Sequence, residues 1–375
     1  MNAEYEGLLA SCNEQQISIY TAVMESIKNN EGKTFFIYGS GGCGKTYLWR
    51  TLISRLRSEG QIVFPVASSG IAATLLPGGR TAHSRFKIPI LLDDYSICNI
   101  SHNSDLAELI KETKLIIWDE APMQHRYAFE CVDRTLRDIM KSVDPKNFHL
   151  PFGGITVILG GDFRQILPVI SLGSRADIVS SSITRSRIWS ICTVFTLDQN
   201  MRLNRPISDE EKETMKAFVE LVLAVGDGRY KSPGGVSNPK NEYEVVLPSD
   251  LCDFNGSNSL EKMFSAIYPQ FESKFKDAGY LRERAILTPL NKTVTYLNAL
   301  IVDKLPGKLY SYFSVDSAEE FAGTDSDLSL SFPAEYLNSL HTPGLPLHEL
   351  KFKEGVIVML MRNLNQTIVY VTGLA

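Results

Sequence analysis

A chain of 375 residues is too long for one ordinary core and implies two or three domains. Its apolar share of 44% and charged share of 22% are those of a globular protein and exclude a disordered or fibrous chain. A net charge of -5 argues against holding nucleic acid by bulk charge, but leaves room for local basic clusters such as Arg80, Arg85 and Lys87, or Arg134, Arg137 and Lys141.

Four short apolar runs mark the first half: residues 34–38, 62–67, 115–118 and 155–159. Each is of strand length, rich in β-branched or aromatic residues, and ends at Gly, Ser or Asp, as buried parallel strands do. Between them, residues 47–59 place Leu48, Leu52 and Leu56 on one helical face ahead of Gly60, and residues 128–140 do the same with Val132, Leu136 and Ile139. Strands alternating with helices predict a doubly wound parallel α/β sheet. Beyond Arg202, residues 208–225 read as a helix opened by Ser208 and three acidic residues. Residues 231–242 and 315–331 read as loops, residues 285–287 as the first strand of a second α/β unit, and residues 355–361 as strand-like. The six cysteines, Cys12, Cys43, Cys98, Cys131, Cys192 and Cys252, form no Cys-x-x-Cys clip and suit free thiols in a reducing compartment. The first residues lack a signal-peptide pattern, and no apolar run nears the ~20 residues of a membrane span.

The chemistry begins after the first predicted strand. Gly39, Ser40, Gly41, Gly42, Cys43, Gly44, Lys45 and Thr46 spell a P-loop, and a predicted helix follows. Glycines let backbone N–H groups turn inward around phosphate oxygens, and the helix N-terminus adds partial positive charge. Lys45 is expected on the β- and γ-phosphates of ATP and the Thr46 hydroxyl on Mg²⁺. The run ending in Asp119 and Glu120 puts two carboxylates at a strand end. Alone they read as a loop start; downstream of a P-loop, Asp119 is expected to hold Mg²⁺ and Glu120 to activate the attacking water. Gly160-Gly-Asp162-Phe-Arg164-Gln165 ends the next strand, where two glycines permit close approach of another chain or a ligand. It reads equally as a surface turn or as a loop that brings Gln165 to the γ-phosphate. Arg202, after the strand-like run 193–197, is a candidate for stabilising phosphoryl charge, and Gln16 for bonding the adenine edge; each residue type is more often plain surface. Ser68, Ser69, Thr81, His83, Arg85 and Phe86 offer hydroxyls, cations and a ring that could follow a sugar-phosphate track and stack on a base.

Taken together, Tyr-Gly-Ser-Gly-Gly-Cys-Gly-Lys-Thr, Ala-Ser-Ser-Gly-Ile-Ala-Ala-Thr-Leu-Leu, Thr-Ala-His-Ser-Arg-Phe, Ile-Ile-Trp-Asp-Glu-Ala-Pro-Met and Gly-Gly-Asp-Phe-Arg-Gln resemble the petite-integration-frequency (PIF-type) DNA helicases. The similarity is greatest to plant forms, including those carried by Helitron transposons, and spans roughly residues 12–365. The resemblance implies a motor of two RecA-like domains with ATP between them. It implies 5′-to-3′ movement on single-stranded DNA, unwinding of forked DNA, and roles in repair, recombination and telomere maintenance. It gives the ATPase roles to Gln16, Lys45, Thr46, Asp119, Glu120, Gln165 and Arg202. It implies a first RecA-like domain over residues 1–203, a linker helix with a partial second RecA-like domain over 204–333, and the start of a small β insert over 334–375. A monomeric motor in the nucleus or mitochondrion, without a membrane partner, is expected. Past Asn365 the family's Ser-Gln-Gly type motif and late arginine do not follow, so a C-terminally truncated member is expected. The alternative is an ATP- and DNA-binding remnant that does not unwind. An unrelated P-loop enzyme such as a small-molecule kinase would leave Gly-Gly-Asp-Phe-Arg-Gln unexplained.

Overall fold

The computed structural model describes residues 2–204, 208–230, 247–248, 251, 259–316, 333–340 and 346–358. The chain divides into two compact units, Met1–Lys231 and Ser232–Ala375.

In chain order the first unit holds α1 (Asn2–Ala10), α2 (Glu14–Lys28), β1 (Thr34–Gly39), α3 (Lys45–Ser58), β2 (Ile62–Ala67), α4 (Gly70–Thr74), β3 (Arg80–Thr81), α5 (Ala82–Phe86), α6 (Asp105–Lys111), β4 (Thr113–Asp119), α7 (Arg126–Met140), β5 (Thr156–Gly161), α8 (Arg175–Ser181), β6 (Cys192–Leu197) and α9 (Asp209–Gly226). The six strands form one sheet in the order β3-β2-β4-β5-β1-β6, every pairing parallel. Alternation along each strand builds two cores. Phe35, Ile37, Leu115, Ile117 and Ile158 face one side with Leu48, Trp49 and Leu52 of α3, while Phe36, Ile116, Trp118, Val157 and Leu159 face the other with Phe129, Val132 and Leu136 of α7. Strands covered on both faces are what the near-continuous apolar runs predicted.

One buried charge anchors the second layer. The carboxylate of Asp133 on α7, fully buried, accepts from Arg137 Nε at 2.9 Å, Arg187 Nη2 at 3.2 Å and the Phe152 N–H at 2.7 Å. Asp133→Ala would strand this donor set, and the expected loss is about 3–5 kcal/mol in urea unfolding; a loss below ~1 kcal/mol would contradict this role.

The first unit extends past residue 203, where the sequence reading ended the first domain. Arg164, after β5, bonds Asp227 at the C-cap of α9, and a Cβ added at Gly226 would lie 3.1 Å from Arg164 Cδ. These contacts tie the end of α9 to the loop after β5.

The described part of the second unit contains α10 (Ser259–Ile267), α11 (Phe271–Lys274), α12 (Ala278–Arg282), α13 (Asn291–Lys304), β7 (Tyr310–Phe313), α14 (Ala334–Ser339) and β8 (Glu349–Phe352). Phe264, Phe271, Tyr280 and Leu305 form its core, and β7 pairs antiparallel with β8. Two expectations fail here. Residues 285–287 form no strand: none of the described residues pairs with them, and Leu287 is 91% exposed. Residues 355–358 are not strand either; the strand is Glu349–Phe352, just before Gly355 at φ 88. Residues 231–242, 317–331 and 359–361 lie outside the described residues.

Candidate active site

The loop after β1 takes its shape from two glycines. Gly42 and Gly44 sit at φ 92 and 82, a left-handed backbone that side chains with a Cβ rarely adopt. Gly44 is the N-cap of α3 and makes no side-chain cap, so the first-turn amides of a 14-residue helix end at the loop. Lys45 follows, only 8% exposed. Its Nζ donates to the carbonyls of Gly39 and Ser40, the latter at 3.2 Å, and among the described residues no carboxylate lies within ion-pair distance of it. A buried ammonium satisfied only by carbonyls is costly until an anion joins it. Within the loop the Ser40 hydroxyl meets the thiol of the buried Cys43 at 3.0 Å, Gly41 faces open space, and Thr46 is half-buried beside Lys45.

The acidic pair closes the other side. Asp119 is buried at the end of β4 and accepts from the Glu120 N–H at 3.1 Å. Burial raises its carboxyl above the ordinary carboxylate value, against hydrogen bonding and the charge of Lys45. Glu120 is raised first by burial and then by the charges of Asp119 and Asp162, with Lys45 opposing. Its backbone is left-handed at φ 52, ψ 39, a conformation that costs a residue with a Cβ of order 1–3 kcal/mol and is held only by surrounding structure. That places strain at the proposed base, and no residue type in the sequence signals it.

These raised carboxyls fix a sign for pH dependence. In the window between the unfolded value and the raised folded one, the folded chain holds the extra proton, so stability falls as pH rises through it. Without ligand, Asp119→Asn is therefore expected to melt above the parent at pH 7, with the gap closing as the pH falls toward ~4, near the unfolded aspartate value. An unchanged gap across that range in thermal melts would contradict the sign.

Gly160 and Gly161 leave room for neighbours inside the chain. A Cβ at Gly160 would lie 2.5 Å from Trp49 Cζ2, and one at Gly161 would lie 2.2 Å from Pro122 Cδ. The space read in sequence as room for a ligand or another chain is filled by α3 and by the turn after Glu120. Gln165 is exposed; its N–H donates to the carbonyl of the buried Asp162 at 3.1 Å.

Segment 198–202 lies on the P-loop. The Met201 N–H donates to Gly42 O at 2.9 Å, and a Cβ at Gly42 would fall 2.7 Å from Asn200 Oδ1 and 3.1 Å from Arg202 Cδ. The fold thus brings Arg202 to the loop of Lys45 from β6, the edge strand paired with β1. Gln16 reaches the same loop, but is only 1% exposed. Its Oε1 accepts from the Asn13 N–H at 3.0 Å, and its Nε2 donates to Gly44 O at 3.2 Å. Contact with an adenine edge requires one of these bonds to exchange.

The proposed DNA-facing segment is partly spent on structure. Ser68 Oγ accepts from Trp118 Nε1 at 3.1 Å, Ser69 caps α4, and Thr81 caps α5. Phe86 is 0% exposed, stacked on Trp118 with Phe64 beside it, so it offers no face to a base; the sequence reading of this ring is corrected. His83 is half-buried and burial lowers its pKa. Arg85 lies over the Phe64 ring at 4.6 Å, its pKa lowered first by burial and then by Arg80 and Arg57. Sequence reading missed Arg57, which a helix face in α3 concealed. Among the described residues none of these three arginines has an ion-pair partner.

The site fits a magnesium nucleotide. The glycine cradle and the unpaired Lys45 suit phosphates, and Thr46 and Asp119 supply hard oxygen ligands. A parallel sheet with this loop after β1 and this pair after β4 defines a RecA-like P-loop NTPase.

The chain belongs to the PIF1-like helicase family, whose model matches residues 11–235; that of the DNA helicase Pif1 2B domain matches residues 335–374. A Psychrobacter protein named ATP-dependent DNA helicase Pif1 is 38% identical over 144 residues, covering 38% of this chain and 21% of that protein. Human ATP-dependent DNA helicase PIF1 is 24% identical over 354 residues, covering 94% of this chain and 44% of that protein. This chain therefore spans less than half the length of either relative. The crystal structure of Bacteroides Pif1 bound to ssDNA shares the fold at TM-score 0.60 and 21% identity, covering 96% of this chain and 68% of that one.

Proposed function

We propose that the chain is the ATP-driven part of a DNA helicase that moves 5′ to 3′ on single-stranded DNA and opens forked duplex. The observation that carries this is the buried Lys45 ammonium, unpaired by any carboxylate among the described residues, in a glycine loop faced by Asp119 and Glu120. In this reading Lys45 neutralises the β- and γ-phosphates, and Glu120 takes the proton of the attacking water. Gln165 senses the γ-phosphate, Arg202 stabilises phosphoryl charge, and Gln16 serves the adenine end. Magnesium, held by Thr46 and Asp119, would supply charge neutralisation between phosphate oxygens. DNA is assigned to the outer parts of Ser68, Ser69, Thr81, His83 and Arg85, supported by family membership and by the cationic group Arg57, Arg80 and Arg85.

The finer assignments are proposals too: a plant or Helitron-like form, from the wording of the motifs; a monomeric motor; work in repair, recombination and telomere maintenance; and a nuclear or mitochondrial place. No helix among the described residues is long and apolar enough to cross a membrane.

A motor must bind its track differently in each nucleotide state, because sites that exchange free energy do so reciprocally. The test is the affinity for a fluorescent single-stranded oligonucleotide without nucleotide, with a non-hydrolysable ATP analogue and with ADP, beside strand displacement on a 5′-tailed fork. Affinities that differ at least about fivefold between states support coupling, a modest coupling energy. Equal affinities in all three states would leave a chain that binds both ligands without being a motor.

A further inference from the structure

Segment 198–202 carries Arg202 to the P-loop, yet it leaves the sheet at β6, an edge strand with half its residues exposed. Something must fix where the segment goes next. The start of α2 does so from outside the sheet. Gln15 Nε2 donates to Asp198 Oδ1 at 2.6 Å, and the Asp198 N–H donates back to Gln15 Oε1 at 3.3 Å. Two residues before Gln15, Asn13 Nδ2 lies 3.3 Å from Met201 Sδ. Between these two contacts sits Asn200, whose Oδ1 accepts from the Arg202 N–H at 3.0 Å, and Met201 itself donates its N–H to Gly42 O. The next residue of α2, Gln16, holds Gly44 O.

We propose that Gln15 and Asp198 are positioning residues for ATP hydrolysis: their paired hydrogen bonds register the exit of β6 against α2 and so aim Arg202 at the phosphates in the P-loop. Three features support it. The amide of Gln15 is used at both ends on one partner, which sets orientation as well as distance. The pair joins residues 183 apart in sequence, so it fixes tertiary register and stabilises no local turn. The α2 start also grips the P-loop through Gln16, so one rigid element carries both sides of the phosphate site.

The proposal rests on the reading of Arg202 as a phosphate-contacting residue, and the test separates the two. Steady-state ATP turnover of the full chain is measured for Gln15→Ala, Asp198→Ala, Asp198→Asn, Arg202→Ala and the double variant Gln15→Ala/Arg202→Ala, with thermal melts alongside. Gln15→Ala and Asp198→Ala are expected to lower kcat about three- to tenfold, the scale of a lost neutral or charge-assisted hydrogen bond, with KM for ATP changed less. Asp198→Asn, which keeps the oxygen acceptor, is expected to restore most of the rate. In the Arg202→Ala background, Gln15→Ala is expected to cost nothing further. Wild-type kcat in both alanine variants overturns the proposal while leaving Arg202 in place. So does a loss that adds in full to that of Arg202→Ala and tracks a lower melting temperature, the mark of a merely structural bond. Wild-type kcat in Arg202→Ala overturns both readings together.

Discussion

Lys45→Ala is expected to lower ATP turnover by at least about 10²–10³, the loss that follows when one preorganised donor to developing charge is removed. The ammonium sits inside the glycine loop, bonded to the carbonyls of Gly39 and Ser40, where a methyl group would supply neither charge nor donors. Binding should weaken too, because the charge acts on bound ATP as well as on the transition state. The fold should survive: Leu48, Trp49, Leu52 and Ile53 keep α3 on the sheet, and a buried charge without a carboxylate partner is lost with the side chain. The check is turnover beside a thermal melt. Near-parental turnover in a folded variant would remove Lys45 from the chemistry.

Glu120→Gln separates binding from hydrolysis. The exchange keeps shape and removes the base, so turnover is expected to fall about 10²–10⁴ while ATP still binds. The raised Glu120 carboxyl also sets the acid limb of the reaction. A base works when ionised, so activity should fail, as the pH drops, above the ordinary glutamate range. Turnover at saturating ATP and affinity for a fluorescent ATP analogue check both points. Lost affinity with unchanged turnover would make Glu120 a structural residue of the turn.

Sequence carried the fold where local pattern and tertiary role coincide. β2 occupies Ile62–Ala67 as its apolar run predicts, and β1, β4 and β5 lie within two residues of theirs, because strands buried on both faces need uninterrupted apolar side chains. The two-residue β3 has no period to read. Other errors concern partners distant in the chain. Phe86 stands among hydroxyls and cations in sequence and looked available to a base; Phe64 of β2 and Trp118 of β4, which bury it, lie far from it in the chain or across the sheet. Gly160 and Gly161 looked like room for a ligand, and the room belongs to Trp49 and Pro122. Gln16 announced a polar helix start, whereas its contact with Gly44 depends on α2 meeting the P-loop. The left-handed backbone of Glu120 is set by the turn into residues 121–123 and has no counterpart in residue type.

The most direct measurement is ATP turnover by the purified chain with and without a single-stranded oligonucleotide, run in parallel with Lys45→Ala and Glu120→Gln. A DNA-driven motor predicts turnover that rises severalfold with DNA in the parent and stays near background in both variants. Turnover indifferent to DNA, or stimulation that survives in either variant, would contradict the account.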